Sequence, residues 1–232
     1  MKNNTQFLDK AGAIALLLLP FLLMIAFALH YTNLSDFFSF KFLKEPYDAN
    51  RLVQTLTSDD GGFRRYTLPH LFGYLALPLF IFASLFLAKI LFNKAPKRAI
   101  VGAALTVIGT VFMGGVFGAW MSFAAVGNLP TEQSNSILPV ITALTTMQGS
   151  LMLSSVLSAF TFIGMIILGF ALYKSQLTPK LYATLFTLGN IIIIAFIDLD
   201  NLMFVGALLI FIGLLPLSIK YFHNNISQGQ AI

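Results

Sequence analysis

Residues Pro69–Phe92 read PHLFGYLALPLFIFASLFLAKILF, an apolar run whose one lysine, Lys89, lies near its end. A helix rises about 1.5 Å per residue, so about 20 mainly apolar residues cross the hydrocarbon core of a bilayer. The run is read as a membrane-spanning helix. Five further segments meet the same criterion: Ala11–Tyr31, Ala99–Ala125, Ser150–Tyr173, Leu181–Ile197 and Asn201–Lys220. Composition agrees, since 57% of the 232 residues are hydrophobic and only 10% are charged. A soluble domain carries about a quarter charged residues, because its surface faces water. The expectation is an all-α polytopic bundle of six transmembrane helices, one domain over residues 1–232, with the lipid bilayer as its solvent and first partner.

The few charges indicate sidedness. With the N-terminus inside, the inner segments hold Lys2, Lys10, Lys89, Lys94, Lys97, Arg98, Lys174, Lys180 and Lys220 against one acid, Asp9. The outer segments hold Lys41, Lys44, Arg51, Arg64 and Arg65 against eight acids, Glu132, Asp198 and Asp200 among them. That is +8 inside and −3 outside, which together give the chain's +5. Excess Lys and Arg mark the cytoplasmic side, so both termini are expected in the cytoplasm of a plasma (inner) membrane. The positive charges form no run of their own, which argues against a nucleic-acid partner. Cysteine is absent, which excludes disulfides and thiolate chemistry. Lys2 and Lys10 before an apolar run, with Ala26-Phe27-Ala28 inside it, resemble a signal peptide. The run continues to Tyr31, longer than such a segment needs, so it is read as a span.

Two outer connections are long. In residues 32–68, Asp48 is placed to cap a short helix that presents Leu52, Val53 and Leu56 on one face. Asp59-Asp60-Gly61-Gly62 reads as a turn before Phe63-Arg64-Arg65-Tyr66. This connection is expected to lie on the headgroups; a lid over an outward cavity is the alternative. In Gly127–Gly149, residues 137–148 read as a separate short helix, interfacial or re-entrant, because joined to the fourth span they exceed one crossing. Asp198-Leu199-Asp200-Asn201 closes a tight outer hairpin.

An apolar first helix, an outer loop ending Arg64-Arg65-Tyr66-Thr67-Leu68-Pro69-His70-Leu71, the basic turn Lys94-Ala95-Pro96-Lys97-Arg98 and a Gly-rich third helix form a recurring pattern. Over roughly residues 10–125 the chain resembles uncharacterised six-helix bacterial integral membrane proteins. The resemblance implies the architecture and a bacterial origin, and no reaction.

Small residues recur on the third helix at Gly102, Thr106, Thr110, Gly114, Gly118 and Ser122, and on the fourth at Ser150, Ser154 and Ser158. Helices associate in lipid by close packing at such positions. They are read as a packing seam, against the alternative of a hydroxyl-lined path for a small solute, because no charged residue joins them. Pro20, Pro78 and Pro216 fall inside spans, which membrane helices tolerate. His30 closes the first helix and His70 opens the second, both at the outer surface, with Asp198 and Asp200 at the same level. Interfacial anchors are one reading of these histidines; ligands of a haem b or a metal ion are the other. No zinc-protease, serine-hydrolase or phosphate-loop motif occurs. Three functions follow from this: a non-catalytic component, as subunit of a membrane complex or small-solute permease; a haem- or metal-binding redox protein using His30 and His70; and a membrane-embedded hydrolase.

Overall fold

The computed structural model describes residues 2–31, 34–38, 52–54, 56, 62–123, 125, 136, 138–146, 148–197 and 199–229. Every regular element among them is helical. The long first helix, α1 (Lys2–Leu29), is followed by a short one, α2 (Leu34–Phe38). A single wide, π-type turn, Gly62–Thr67, runs straight into α3 (Leu68–Leu91). After the basic turn come α4 (Pro96–Ser122) and the short α5 (Leu138–Thr145). Helices α6 (Ser150–Ser158) and α7 (Phe160–Ser175) are separated only at Ala159. The chain ends in α8 (Lys180–Ala195) and α9 (Asp200–Gly229).

Five helical segments are long and apolar enough to cross a membrane: Leu8–Leu29, Gly62–Leu91, Pro96–Ser122, Ser150–Ser175 and Asp200–His223. They fit a multi-pass membrane protein. The sixth expected span, Leu181–Ile197, is the exception. Its helix, α8, has 16 residues and stops where Phe196 leaves helical backbone (φ −122°, ψ 39°). At 1.5 Å per residue it is about 24 Å long, short of the roughly 30 Å hydrocarbon core.

The helices close a ring in chain order. α1 packs on α3, α3 on α4, α4 on α6 and α7, α7 on α8, α8 on α9, and α9 returns to α1. One apolar cluster runs through the whole ring, with Leu16, Leu19, Phe80, Leu87, Met165, Leu168, Phe186, Ile193 and Ile210 almost fully buried. Because lipid is as apolar as these side chains, burial alone does not hold the helices together; close backbone approach does. A Cβ on Gly102 would meet the Gly164 carbonyl, and one on Gly164 would meet the Gly102 carbonyl and the Thr106 backbone. Gly189 and Gly206 face each other in the same way where α8 crosses α9.

The ring has two distinct ends. At one, Asp9 accepts a 2.6 Å hydrogen bond from Lys89 Nζ, and Tyr221 meets Phe86 edge to face. At the other, Leu52, Val53 and Leu56 are buried together with Tyr66, Phe123 and Ile141. Of the connection expected to rest on headgroups, Leu52, Val53 and Leu56 are thus buried against protein. Three apolar side chains on one helical face gain more from protein contact than from a wet interface. The Asp48 cap and the Asp59–Gly61 turn lie outside the described residues. Helix α5 stands apart from α6, as the length argument requires. Gly149, with φ +62°, makes the break, a conformation that disfavours any side chain.

Candidate functional site

The seam continues only part of the way along α4. Gly102, Thr106 and Thr110 are buried against α7, and a Cβ on the neighbouring Gly109 would collide with the Thr161 backbone. The hydroxyls along it bond chiefly within their own helix, Thr106 to the Gly102 carbonyl at 2.9 Å and Thr110 to the Thr106 carbonyl at 2.7 Å. Of the fourth-span serines, Ser158 is buried and bonds the Ser155 carbonyl at 2.6 Å. The remaining expected members depart from the seam. Gly114 has ordinary space, with Leu77 Cδ1 of α3 nearest to a built Cβ at 3.7 Å. Gly118, half-buried, has nothing among the described residues within 4 Å of a built Cβ. Ser122 and Ser150 are exposed, and Ser154 is half-buried, 3.9 Å from a built Cβ on Gly115. α4 packs closely on α7 along its first half and meets α6 beyond that.

The histidine end holds the other expected residues. His30 follows the last turn of α1, and His70 lies in the first turn of α3. Their rings meet edge to face, with centroids 5.4 Å apart and planes at 84°. Two imidazoles separated by 39 residues of chain are therefore neighbours. Asp200, the first residue of α9, joins them: its Oδ1 lies 3.4 Å from His30 Nδ1. That nitrogen is buried and has no aligned hydrogen bond. The two side chains keep some access to solvent, at 23% and 17% exposure. Asp198 lies outside the described residues. Asn201, next to Asp200, is buried and donates to the Phe37 carbonyl at 3.1 Å, tying α2 to α9.

His70 is the more constrained ring. Its Nδ1 lies 2.6 Å from the Tyr66 carbonyl oxygen. A carbonyl only accepts, so Nδ1 carries the proton and Nε2 keeps a lone pair. Trp120 stacks on the ring nearly parallel (5.5 Å, 7°), Tyr66 lies against it at 4.3 Å, and Phe117 approaches at 6.2 Å. The wide turn before α3 sets this up. Gly62–Thr67 carries Tyr66 to the position where its ring and carbonyl both reach His70, and Thr67 Oγ1 steadies the turn by donating to the Gly62 carbonyl at 3.2 Å. Sequence reasoning did not single out Tyr66 or Trp120 as partners of His70. The signal available was that the only tryptophan lies near the end of the third span, at the level of His70.

Axial ligation of haem b puts two imidazoles on opposite faces of a flat macrocycle. Here the two rings touch edge to face and three aromatic rings surround His70, so the arrangement does not fit a macrocycle between them. Among the described residues no group of three His, Cys, Asp or Glu side chains stands ready to enclose a metal ion. The cluster has two imidazole donors and one carboxylate partner. Set against protein-family models, curated proteins and solved structures, the chain finds no match.

Proposed function

We propose that the chain is a six-span protein of a bacterial plasma membrane with both termini cytoplasmic. It acts as a non-catalytic component whose working site is the His30–His70–Asp200 cluster on the outer side. The observation that carries this reading is the meeting of three polar side chains from α1, α3 and α9 at one end of an otherwise apolar ring. Three elements far apart in sequence bring ionisable side chains to one point there, which interfacial anchoring of each residue alone does not require. The excess of positive charge expected inside coincides with the end that holds Lys89, Lys94 and Lys97. The short α8 completes the crossing together with the residues that flank it, Gln176–Pro179 on one side and Phe196 and Ile197 on the other.

A small-solute path through the ring has less support. The seam is closed by backbone contact at Gly102, Gly109 and Gly164, and its hydroxyls are engaged locally. Gly118, half-buried and without a described neighbour within 4 Å of a built Cβ, is consistent with a role within a larger membrane complex, since small residues admit a neighbouring helix closely.

Genetics tests the site reading without knowing the ligand. A His30→Ala/His70→Ala variant, present in membranes at the normal amount, is expected to reproduce the deletion phenotype across a panel of growth conditions. Full complementation contradicts the reading. The topology has its own test, helped by the absence of native cysteine. A single cysteine at Ser136 is expected to react with a membrane-impermeant maleimide added outside, and one at Lys97 only after the membrane is opened. The reverse pattern overturns the orientation.

A further inference from the structure

We propose that His30 and His70 bind one divalent transition-metal ion of the zinc class, with Asp200 as the charge and hydrogen-bond partner of His30. This rests on the reading of the cluster as a binding centre and names what it binds. Imidazole nitrogen suits zinc, copper and nickel, whereas calcium and magnesium require oxygen ligands.

The ring separation admits a shared ion, although an edge-to-face pair such as Phe80–Phe162 has nearly the same spacing without one. Zinc–nitrogen bonds of about 2.0–2.1 Å at a tetrahedral angle put two imidazole centroids about 5 Å apart. The observed separation is 5.4 Å. A metal-bound histidine donates its second ring nitrogen to an oxygen, which fixes the tautomer and the ring's direction. His70 already has this arrangement, with Nδ1 donating to the Tyr66 carbonyl at 2.6 Å. His30 has the same partner type in Asp200 Oδ1, 3.4 Å from Nδ1, a small rotation from a hydrogen bond. Each ring then offers Nε2 as the ligand.

Charge argues the same way. Two neutral imidazoles leave a dication uncompensated, and the Asp200 carboxylate offsets half of it. Trp120 and Tyr66 cover His70, so the ion approaches from the side of the partly exposed His30 and Asp200. The chain supplies two nitrogen ligands, and water fills the remaining positions. Two protein ligands are fewer than the four of a closed structural zinc site, so weak, saturable binding is expected.

The test uses the full chain, purified through a tag without histidine, stripped with EDTA and returned to nanodiscs. Zinc chloride is titrated and bound zinc is measured after desalting. One ion per chain is expected. His30→Ala or His70→Ala should abolish saturable binding, and Asp200→Asn should weaken it by about 10–100-fold, as loss of an outer-shell partner does. His223→Ala, an exposed histidine near the other end of α9, should change nothing. His30→Gln and His70→Gln, nearer in volume, guard against misfolding and should lose binding equally. As an independent readout, copper(II) should quench the only tryptophan, Trp120, in the wild type and not in His70→Gln. Binding of zinc and copper that is absent from the wild type, or equal in the wild type and the double alanine variant, overturns the proposal. If the wild type binds no metal while the double variant still fails complementation, the metal is wrong and the binding centre stands. If metal binds through both histidines and complementation is unaffected, the metal site stands and its proposed role falls.

Discussion

The α4–α7 seam and the histidine end use polar residues in different ways. Along the seam, Thr106 and Thr110 bond carbonyls one turn back in their own helix at 2.7–2.9 Å. They reach Thr161 of α7 only at 3.4 and 3.5 Å. At the histidine end His70 likewise bonds locally, to the Tyr66 carbonyl at 2.6 Å, but further contacts cross between elements: His30 to Asp200, His30 to His70, and Asn201 to Phe37. Hydroxyls satisfied locally add little direction to packing, because any helix of the right shape can lie against them. Side chains that complete one another across helices mark where the sequence has been fitted to a particular arrangement. The seam holds the bundle together; the histidine end is where binding is sought.

If that division is right, the seam should answer to volume above all. The largest effect is expected from Gly164→Leu, whose side chain would enter the backbone of α4 at Gly102 and Thr106. Overpacking of this kind costs about 1–3 kcal/mol, and a backbone obstacle puts this site at the upper limit. Thermal unfolding in detergent should show a sharply lowered midpoint, or the protein should fail to accumulate. An unchanged midpoint would mean that α4 and α7 are not in contact there.

A smaller effect is expected from Ser218→Ala. Ser218 Oγ donates across to the Ala13 carbonyl at 2.6 Å in a buried position between α9 and α1. Loss of one such bond costs about 1 kcal/mol. A midpoint equal to wild type would place Ser218 among the locally satisfied hydroxyls and blur the comparison.

The smallest effect belongs to Gly118→Leu. The added side chain meets no described residue within 4 Å of its Cβ, so purified protein should change by no more than about 0.5 kcal/mol. The same variant in native membranes separates two cases. Altered migration in a native gel there, with stability preserved, marks a neighbouring protein on this face. Destabilisation of the isolated chain itself would return Gly118 to the seam.

Much of this was legible in the sequence because the bilayer imposes a length. Pro69–Phe92 and its counterparts announce helices, and strict alternation of those helices puts His30, His70 and Asp200 at one end whatever the packing. Their mutual contact needed one more fact, that α9 closes the ring beside α1. Charge counting says nothing about which helices are neighbours. The extent of the seam was hidden for a related reason. A repeat of small residues tells which face of α4 is narrow, but not along which stretch the opposing helix comes close enough to need it. The shortness of α8 was hidden too, since Phe196 and Ile197 are apolar enough to extend a span and only the backbone shows that the helix has ended. Trp120 on His70 was missed because an aromatic residue near the end of a span is already explained by the interface.

The account stands on the convergence of α1, α3 and α9 at the histidine end, and cross-linking in this cysteine-free chain tests it most directly. Three double variants place cysteines at 30 and 70, at 30 and 200, and at 70 and 200. A fourth pair at Asp9 and Lys89, joined by a hydrogen bond at the opposite end, serves as the positive control. A fifth, at His30 and Gln176, spans the two ends and serves as the negative one. Membranes are treated with a short bifunctional thiol reagent, and the digested protein is read by mass spectrometry. The account predicts bridged peptides for the 30–70 and 30–200 pairs and for the positive control, and only singly modified thiols for the 30–176 pair. Singly modified thiols at 30–70 and 30–200, with the positive control bridged, would contradict it.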